Sequence, residues 1–190
     1  MGQGIGKSDA VRYPAPGSPA LSDLVRRTLQ GAGAQPDLDW GLDHGAWSVL
    51  RRMYPEADIP VVQLSLDYTK STQEHYALGK ELEPLRRQGV LILGSGNMVH
   101  NLRMVQWEDT AYDWALEFDN LLKEWILAGD HSAIVQHAQF GRMAALSIPT
   151  PEHFLPLLYA LAVQDTDEPV SFFADKVTLG SISMRSVRIG

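Results

Sequence analysis

An apolar run that ends in two glycines and a polar segment constrains this chain more than any other feature. Residues 90–93 (VLIL) are aliphatic throughout, which is typical of a strand covered on both faces in an α/β protein. Gly94 and Gly96 let the backbone turn sharply and approach a ligand closely. Because open α/β sheets bind ligands at the carboxyl ends of their strands, His100 lies where chemistry is usually done. The alternative is a loop histidine that caps a helix or bonds a carbonyl.

Predicted strands and helices alternate through the middle of the chain. The helices are predicted, in chain order, at residues 19–30, 45–53, 72–87, 112–127, 132–137 and 151–163. The strands are predicted at residues 60–67, 90–93, 170–173 and 178–188. The helix at 112–127 is expected to bury one face, formed by Trp114, Phe118, Leu121, Leu122 and Trp125. This alternation indicates an α/β fold with a mixed, largely parallel sheet and helices on both faces.

Residues 1–12 are rich in glycine and lack any periodicity, so we predict a flexible N-terminal lead before the folded part of the chain. The segment GQGIGKS within it is similar to a phosphate-binding loop. That loop needs a glycine five residues before its Gly-Lys pair, where this chain has Met1, and it needs a preceding strand. A flexible terminus is the better interpretation of these residues.

Composition excludes several classes of protein. The chain has 190 residues and a net charge of −7, which argues against nucleic acid or an anionic membrane as the main partner. No stretch approaches the roughly 18 to 20 consecutive apolar residues of a membrane span, and the first residues do not form a signal peptide. We therefore expect a cytoplasmic protein. With 0 cysteines, a bound metal needs imidazole and carboxylate ligands, which suit iron or zinc.

His44 and His153 lie near helix starts, and both are candidate functional residues. Asp43 is a natural cap for the helix that follows it, which would leave His44 facing a cleft. Thr150 as N-cap and Pro151 as first residue would place His153 in the first helical turn, where the helix dipole favours the neutral, metal-binding imidazole. A histidine bonded to a neighbouring loop is the alternative for His153.

The remaining histidines carry weaker signals. His75 lies in the middle of a predicted helix among polar residues, and we expect it to be solvated. His131 and His137 flank a short helix with a spacing that does not place both on one face. A metal-binding pair at these two positions is therefore not predicted.

Four segments, in order and with unbroken spacing, resemble the class III extradiol ring-cleaving dioxygenases, in the DOPA 4,5-dioxygenase-like branch. They are residues 13–21 (YPAPGSPAL), 42–67 (LDHGAWSVLRRMYPEADIPVVQLSLD), 94–103 (GSGNMVHNLR) and 150–161 (TPEHFLPLLYAL). The last residues, 179–190 (LGSISMRSVRIG), are similar to the end of that family. The resemblance covers residues 13–190, which we expect to form an extradiol dioxygenase-like catalytic domain.

The resemblance implies a single non-haem metal ion, Fe(II) or Zn(II), and cleavage of a catechol ring beside its two hydroxyls with O2. His153 matches the family's C-terminal metal ligand. His100 matches its acid–base histidine, which is sometimes a further metal contact, and His44 matches a histidine on the substrate side of the pocket. A histidine with a pKa near neutrality can take a proton from the catechol and return it later. Asn101 and Arg103 are candidates either to support the metal-binding residues or to contact a substrate carboxylate, and a surface ion pair is a further alternative for Arg103.

The sequence departs from the family in one respect. Members carry two further metal-binding histidines, in a Gly-His-Gly-Ser-Pro turn and an Ala-His-Trp strand end, both upstream of the segment that begins here at Tyr13. We therefore expect a partial domain that lacks its N-terminal strands, with an exposed sheet edge available for self-association. His153 alone, or with His100, does not complete the three-ligand site that iron needs.

Three hypotheses follow. The first is an extradiol dioxygenase that is active when another chain supplies the missing ligands. The second is a truncated, catalytically inactive fragment that acts at most as an interaction module. The third, a zinc hydrolase, needs a carboxylate base near the metal. Glu152 is expected to point away from His153 on a different side of the helix, which disfavours this third hypothesis.

Overall fold

Capping residues set the starts of the first two long helices, as the sequence predicts. Helix α1 (Pro19–Thr28) begins after Ser18, whose hydroxyl accepts a hydrogen bond from the Leu21 N–H at 3.1 Å. Helix α2 (His44–Met53) begins after Asp43, whose carboxylate accepts from the Ala46 N–H at 2.8 Å. A short 3₁₀ turn, Gln30–Ala32, follows α1.

The computed structural model describes residues 11–190, which divide into two units, residues 11–65 and Leu66–Gly190. The rejected phosphate loop and most of the predicted flexible lead at 1–12 lie outside the described residues. Helices α1 and α2 belong to the first unit. The remaining helices and every assigned strand of the described residues belong to the second.

The second unit is mainly helical. Its helices are α3 (Thr72–Glu81), α4 (Glu83–Arg86), α5 (Asp113–Ala128), α6 (His131–Val135), α7 (Gly141–Ser147) and α8 (Leu155–Ala162), with 3₁₀ turns at Leu102–Met104 and His137–Phe140. The single helix predicted at 72–87 is divided in two, because Pro84 lacks an N–H and its ring clashes with the carbonyl one turn earlier. Within residues 11–190, no helix combines the length and the apolar character needed to cross a membrane.

The structure does not confirm the predicted largely parallel sheet. Strand β1 (Val170–Phe173) pairs with β4 (Ser186–Ile189), β2 (Val177–Thr178) pairs with β3 (Ile182–Ser183), and both two-stranded sheets are antiparallel. Strand β1 has the bounds that the sequence predicts. The single strand predicted at 178–188 is interrupted, because Leu179 and Gly180 have positive φ values of 52° and 76° and turn the chain.

The predicted strands at 60–67 and 90–93 have no strand assignment. Neither segment forms a ladder with another segment among residues 11–190, and an extended run needs such a partner to become part of a sheet. The expectation that residues 90–93 are covered on both faces is also wrong, because the Leu91 side chain is 63% exposed. An apolar run alone indicates burial, but it does not specify which element covers it.

Helix α5 lies at the centre of the hydrophobic core in the second unit. Phe118 and Leu122 are fully buried, as predicted, whereas Trp114, Leu121 and Trp125 are only partly buried. The core around this helix is built from apolar residues of α5 to α8, of the residue just before α8, of β2 and of the segment before His100: Met98, Val99, Ala115, Phe118, Leu122, Ile126, Ile134, Val135, Ala144, Phe154, Leu155, Leu158, Leu161 and Val177. The buried pair Met98 and Val99 thereby anchors the backbone that carries His100.

Candidate functional site

His100 is held by backbone hydrogen bonds to two other parts of the second unit. Its N–H donates to the carbonyl of Ser147, at the end of α7, at 2.9 Å. It also faces Ile182 of β3 in an isolated antiparallel bridge. The preceding Val99 is fully buried. These contacts fix the position of His100 at the edge of the core.

His153 lies in a turn that precedes α8, and the prediction that it occupies a first helical turn is wrong. The N–H groups of Phe154 and Leu155 both donate to the Pro151 carbonyl at 2.9 Å, and α8 begins at Leu155. Pro156 explains the difference, because its ring would clash with the carbonyl of residue 152 in a helix that ran on from residue 151.

The imidazole rings of His100 and His153 are stacked on each other. Their centroids lie 3.6 Å apart and their planes differ by 17°. Both side chains are half-buried. The two histidines that the sequence places 53 positions apart are thus brought into direct contact, and we interpret this pair as the centre of the candidate site.

Glu152 completes a cluster of three potential metal ligands. One ligand atom each from His100, Glu152 and His153 lies within 4.8 Å of the others. Sequence reasoning directed Glu152 away from His153 because it assumed a helix through both residues. In the observed turn the carboxylate instead stays beside the imidazoles, and the Thr150 hydroxyl donates to its Oε1 at 2.7 Å rather than capping a helix.

Burial and neighbouring groups shift the pKa values in this cluster. Burial lowers the pKa of His100, the nearby His153 lowers it further, and Glu152 opposes the shift. Burial raises the pKa of the Glu152 carboxyl, but the hydrogen bond from Thr150 and the two imidazoles together bring it below its usual value. At neutral pH the cluster therefore offers an unprotonated His100 imidazole and an ionised carboxylate.

The donor set of the cluster fits a non-haem metal ion. Two imidazoles and a carboxylate are ligands that iron and zinc accept, and their half-buried position limits competition from water. Glu152 adjoins His153, the residue that the sequence predicts as a metal ligand, so these two side chains would hold the ion, with His100 beside them.

Asn97 is a site residue that sequence reasoning did not single out. Its N–H donates to the His153 carbonyl at 2.8 Å, and its side-chain Oδ1 lies 3.2 Å from His153 Nδ1. Its side-chain Nδ2 donates to the Ser183 carbonyl at 2.7 Å. The only signal in the sequence is its place between Gly96 and His100, because its partners come from much later in the chain.

Asn101 and Arg103 are in different environments. Asn101 is 5% exposed, its Nδ2 donates to the Leu146 carbonyl at 2.7 Å, and its Oδ1 accepts from the Arg103 N–H at 3.1 Å. The Asn101 amide is thus engaged within the protein, which favours a role in holding the loop rather than in contacting a substrate. The Arg103 side chain is exposed, in the 3₁₀ turn Leu102–Met104.

His44 is the first residue of α2 in the unit of residues 11–65, and its side chain is exposed. The predicted cap at Asp43 is confirmed, since its carboxylate accepts the Ala46 N–H. The predicted role of His44 on the substrate side of the pocket stays a prediction, because it belongs to a different unit from His100 and His153.

The other histidines of the second unit have structural partners. His75 is fully buried rather than solvated, with Nδ1 2.8 Å from the Tyr159 hydroxyl and Nε2 3.1 Å from the Asp67 carbonyl. The His75 side chain points toward α8. The spacing of apolar residues in its own helix does not indicate this contact. His131 contacts the Tyr76 hydroxyl at 2.7 Å, and the His137 ring packs against the Phe154 ring at an interplanar angle of 55°.

Comparison with known proteins identifies the family. The model of the catalytic LigB subunit of aromatic ring-opening dioxygenase matches residues 3–189. A 4,5-DOPA dioxygenase extradiol from Escherichia coli (strain K12) is 43% identical over 186 residues, which cover 95% of this chain and 68% of that protein. A protein of the same name from Mirabilis jalapa is 40% identical over 159 residues, which cover 80% of this chain and 58% of that protein.

A solved structure shows the same fold. The crystal structure of the uncharacterized protein JW3007 from Escherichia coli K12 matches with a TM-score of 0.88 and 41% sequence identity, over 95% of this chain and 76% of that one. The chain thus spans somewhat more than half to about two thirds of the curated relatives named above. With a family match over nearly all of its length, the chain belongs to the LigB family of aromatic ring-opening, class III extradiol dioxygenases.

Proposed function

We propose that this chain provides catalytic residues of a metal-dependent extradiol dioxygenase that opens the ring of a DOPA-like catechol with O2. The observation that carries the proposal is the contact between His100 and His153, with Glu152 beside them. Family membership supports the reaction class, and the names of the bacterial and plant relatives support the DOPA-like substrate.

His153 and Glu152 would hold the metal ion, Fe(II) or Zn(II). The bound ion would act as a Lewis acid and as a template that keeps catechol and O2 side by side. The contact with Asn97 Oδ1 orients the His153 ring, and the hydrogen bond from the Thr150 hydroxyl orients the Glu152 carboxylate. These partners reduce the freedom of both side chains before the ion arrives.

His100 would move the proton. Burial lowers its pKa, so that a ring nitrogen is unprotonated at neutral pH and can accept a proton from a catechol hydroxyl. Stacking on His153 keeps this nitrogen close to the residue that would hold the ion. After ring opening, the same nitrogen can give the proton back.

Arg103 would orient the substrate. Its exposed guanidinium follows His100 by three residues and suits the carboxylate of a DOPA-like catechol. Asn101 supports this turn through its hydrogen bond to the Arg103 N–H. The position that His44 matches in the family supports, as part of this proposal, a role for this histidine on the substrate side of the pocket.

Oxygen uptake tests the proposal. Purified protein is loaded with Fe(II) under anaerobic conditions, mixed with DOPA and oxygenated buffer, and followed with an oxygen electrode. We expect iron-dependent uptake that is lost in His153→Ala and falls by about 10²- to 10⁴-fold in His100→Ala. His131→Gln, a histidine variant outside the cluster, should retain the activity of the unmodified chain.

The same experiment can contradict the proposal. Uptake that does not depend on iron, or that persists in His153→Ala, would assign the chemistry to other residues. No uptake at any iron concentration would favour the predicted alternative, an inactive chain that acts as an interaction module.

A further inference from the structure

We propose that Asn97 is a positioning residue that fixes the proton of His153 on Nδ1 and thereby dedicates Nε2 to the metal ion. The metal-binding part of this inference rests on the proposed function. The assignment of the tautomer rests on the hydrogen bonds of Asn97 alone.

The orientation of the Asn97 amide is determined by Ser183. Asn97 Nδ2 donates to the Ser183 carbonyl at 2.7 Å. If the amide were flipped, Asn97 Oδ1 would lie at that distance from the Ser183 carbonyl oxygen. Both oxygens are hydrogen-bond acceptors, so the flipped orientation is excluded. The oxygen Oδ1 is therefore the atom that faces His153 Nδ1 at 3.2 Å.

An amide oxygen can only accept a hydrogen bond, so His153 Nδ1 must carry the proton. In the neutral ring the lone pair then belongs to Nε2. The opposite tautomer would place the Nδ1 lone pair against the lone pairs of Asn97 Oδ1, which is repulsive. A carbonyl or carboxylate partner on the remaining ring nitrogen is the usual device that orients metal-binding histidines.

The backbone makes this contact rigid. The Asn97 N–H donates to the His153 carbonyl at 2.8 Å, so that the two residues are joined through both main chain and side chain. A Cβ at Gly96 would lie 2.0 Å from the same carbonyl oxygen, which shows how closely the two segments approach. The Asn97 amide is thus held at one place relative to the His153 ring.

Nitrogen NMR of the metal-free protein tests the tautomer directly. The two ring nitrogens of His153 are assigned in ¹⁵N-labelled protein at pH 8 by the loss of their signals in His153→Gln. We expect a protonated, pyrrole-type Nδ1 and an unprotonated, pyridine-type Nε2. In Asn97→Ala the two signals should move toward the average of exchanging tautomers, whereas the exposed control Gln139→Ala should preserve the unmodified pattern.

Zinc titration of the same proteins tests the consequence. We expect Asn97→Ala to bind Zn²⁺ about 10- to 100-fold more weakly and the exposed control Gln139→Ala to bind normally. Urea unfolding of each variant separates a lost contact from a lost fold. Equal zinc affinity in folded Asn97→Ala and unmodified protein would overturn the positioning role.

The two measurements separate this inference from the proposed function. A His153 proton on Nε2 in the unmodified protein overturns the inference, whatever the zinc titration gives. A proton on Nδ1 in a protein that takes up no zinc would contradict the proposed metal site, while it would uphold the effect of Asn97 on the tautomer.

Discussion

Two glycines allow the candidate site to form. A Cβ at Gly96 would lie 2.0 Å from the His153 carbonyl oxygen, and one at Gly94 would lie 2.5 Å from the Pro156 carbonyl oxygen. The sequence predicts that these glycines allow close approach to a ligand. In the structure they allow close approach to the turn that carries His153, and this contact brings the histidine to His100.

Gly96→Ala should therefore disrupt the site. We expect a loss of about 1–3 kcal/mol or more in the free energy of unfolding, because the added methyl group meets a backbone carbonyl that cannot move aside cheaply. Urea unfolding measures the change, and Gly31→Ala, where a Cβ meets nothing within 4 Å, is the control. Equal stability of Gly96→Ala and the control would contradict the close approach described here.

At the same scale, the sequence predicts some site residues and misses others. The family resemblance predicts both His100 and His153 as site residues. The sequence directs Glu152 away from His153, and this is wrong because Pro156 prevents a helix from running through residues 151–155. The role of Asn97 depends on Ser183, 86 residues later in the chain, and local spacing carries no information about such a contact.

Helices α3 and α8 pack closely through a small residue and a buried histidine. A Cβ at Gly79 of α3 would lie 2.7 Å from Ala162 Cβ, so the glycine permits the approach of the two helices. One turn earlier, His75 contacts the Tyr159 hydroxyl of α8 and the Asp67 carbonyl. Burial lowers the pKa of His75, although the contact with Asp67 opposes this shift.

This packing predicts a loss of stability in mild acid. Between the lowered pKa of folded His75 and its unfolded value of about 6.5, the unfolded chain binds more protons, so the free energy of unfolding falls as pH decreases. His75→Gln should show a shallower dependence, by up to about 1.4 kcal/mol per pH unit. Urea unfolding between pH 8 and 5 measures both slopes. An unchanged slope in the variant would exclude His75 as a contributor.

The C-terminal strands are joined to α5 by a buried ion pair. Arg185 Nη2 lies 2.6 Å from Asp119 Oδ2, and both side chains are at most 5% exposed. The Ser183 hydroxyl donates to the other Asp119 oxygen at 2.6 Å. The Ser183 carbonyl accepts a hydrogen bond from Asn97 Nδ2. The ion pair therefore also stabilises the segment that holds the Asn97 side chain.

Removal of one partner of this pair should cost much more than removal of a surface pair. We expect Asp119→Ala to lower the free energy of unfolding by about 3 kcal/mol, because Arg185 keeps its buried charge and retains only the partly exposed Asp175 as an ion-pair partner. Glu83→Gln, which removes the intrahelical partner of Arg87, should cost less than about 1 kcal/mol. Thermal or urea unfolding measures both. A similar loss in the free energy of unfolding for the two variants would contradict the conclusion that burial makes the Asp119 pair more costly to break.

At the scale of elements, the sequence predicts helices better than strands. Helix starts depend on nearby residues such as Ser18 and Asp43, which cap the helices that the spacing predicts. Strands depend on partners that are distant in sequence. The run at residues 90–93 has the composition of a buried strand, but no ladder forms there within the described residues.

In the whole molecule, the cluster of His100, Glu152 and His153 lies entirely within the unit Leu66–Gly190. His100 is joined to Ser147 and Ile182, and His153 is joined to Asn97, so four separate segments of that unit converge on the two rings. Family membership predicts this convergence, although local patterns in the sequence do not. We infer that the resulting cluster holds one metal ion.

Calorimetric titration of the metal-free protein with Co²⁺ measures the number of ions that bind and their affinity. We expect one ion per chain in the unmodified protein, no binding in His153→Ala, and markedly weaker binding in Glu152→Gln. The exposed control Glu117→Gln should bind as the unmodified protein does. Stoichiometric binding that survives in both His153→Ala and Glu152→Gln would place the ion elsewhere and contradict the account.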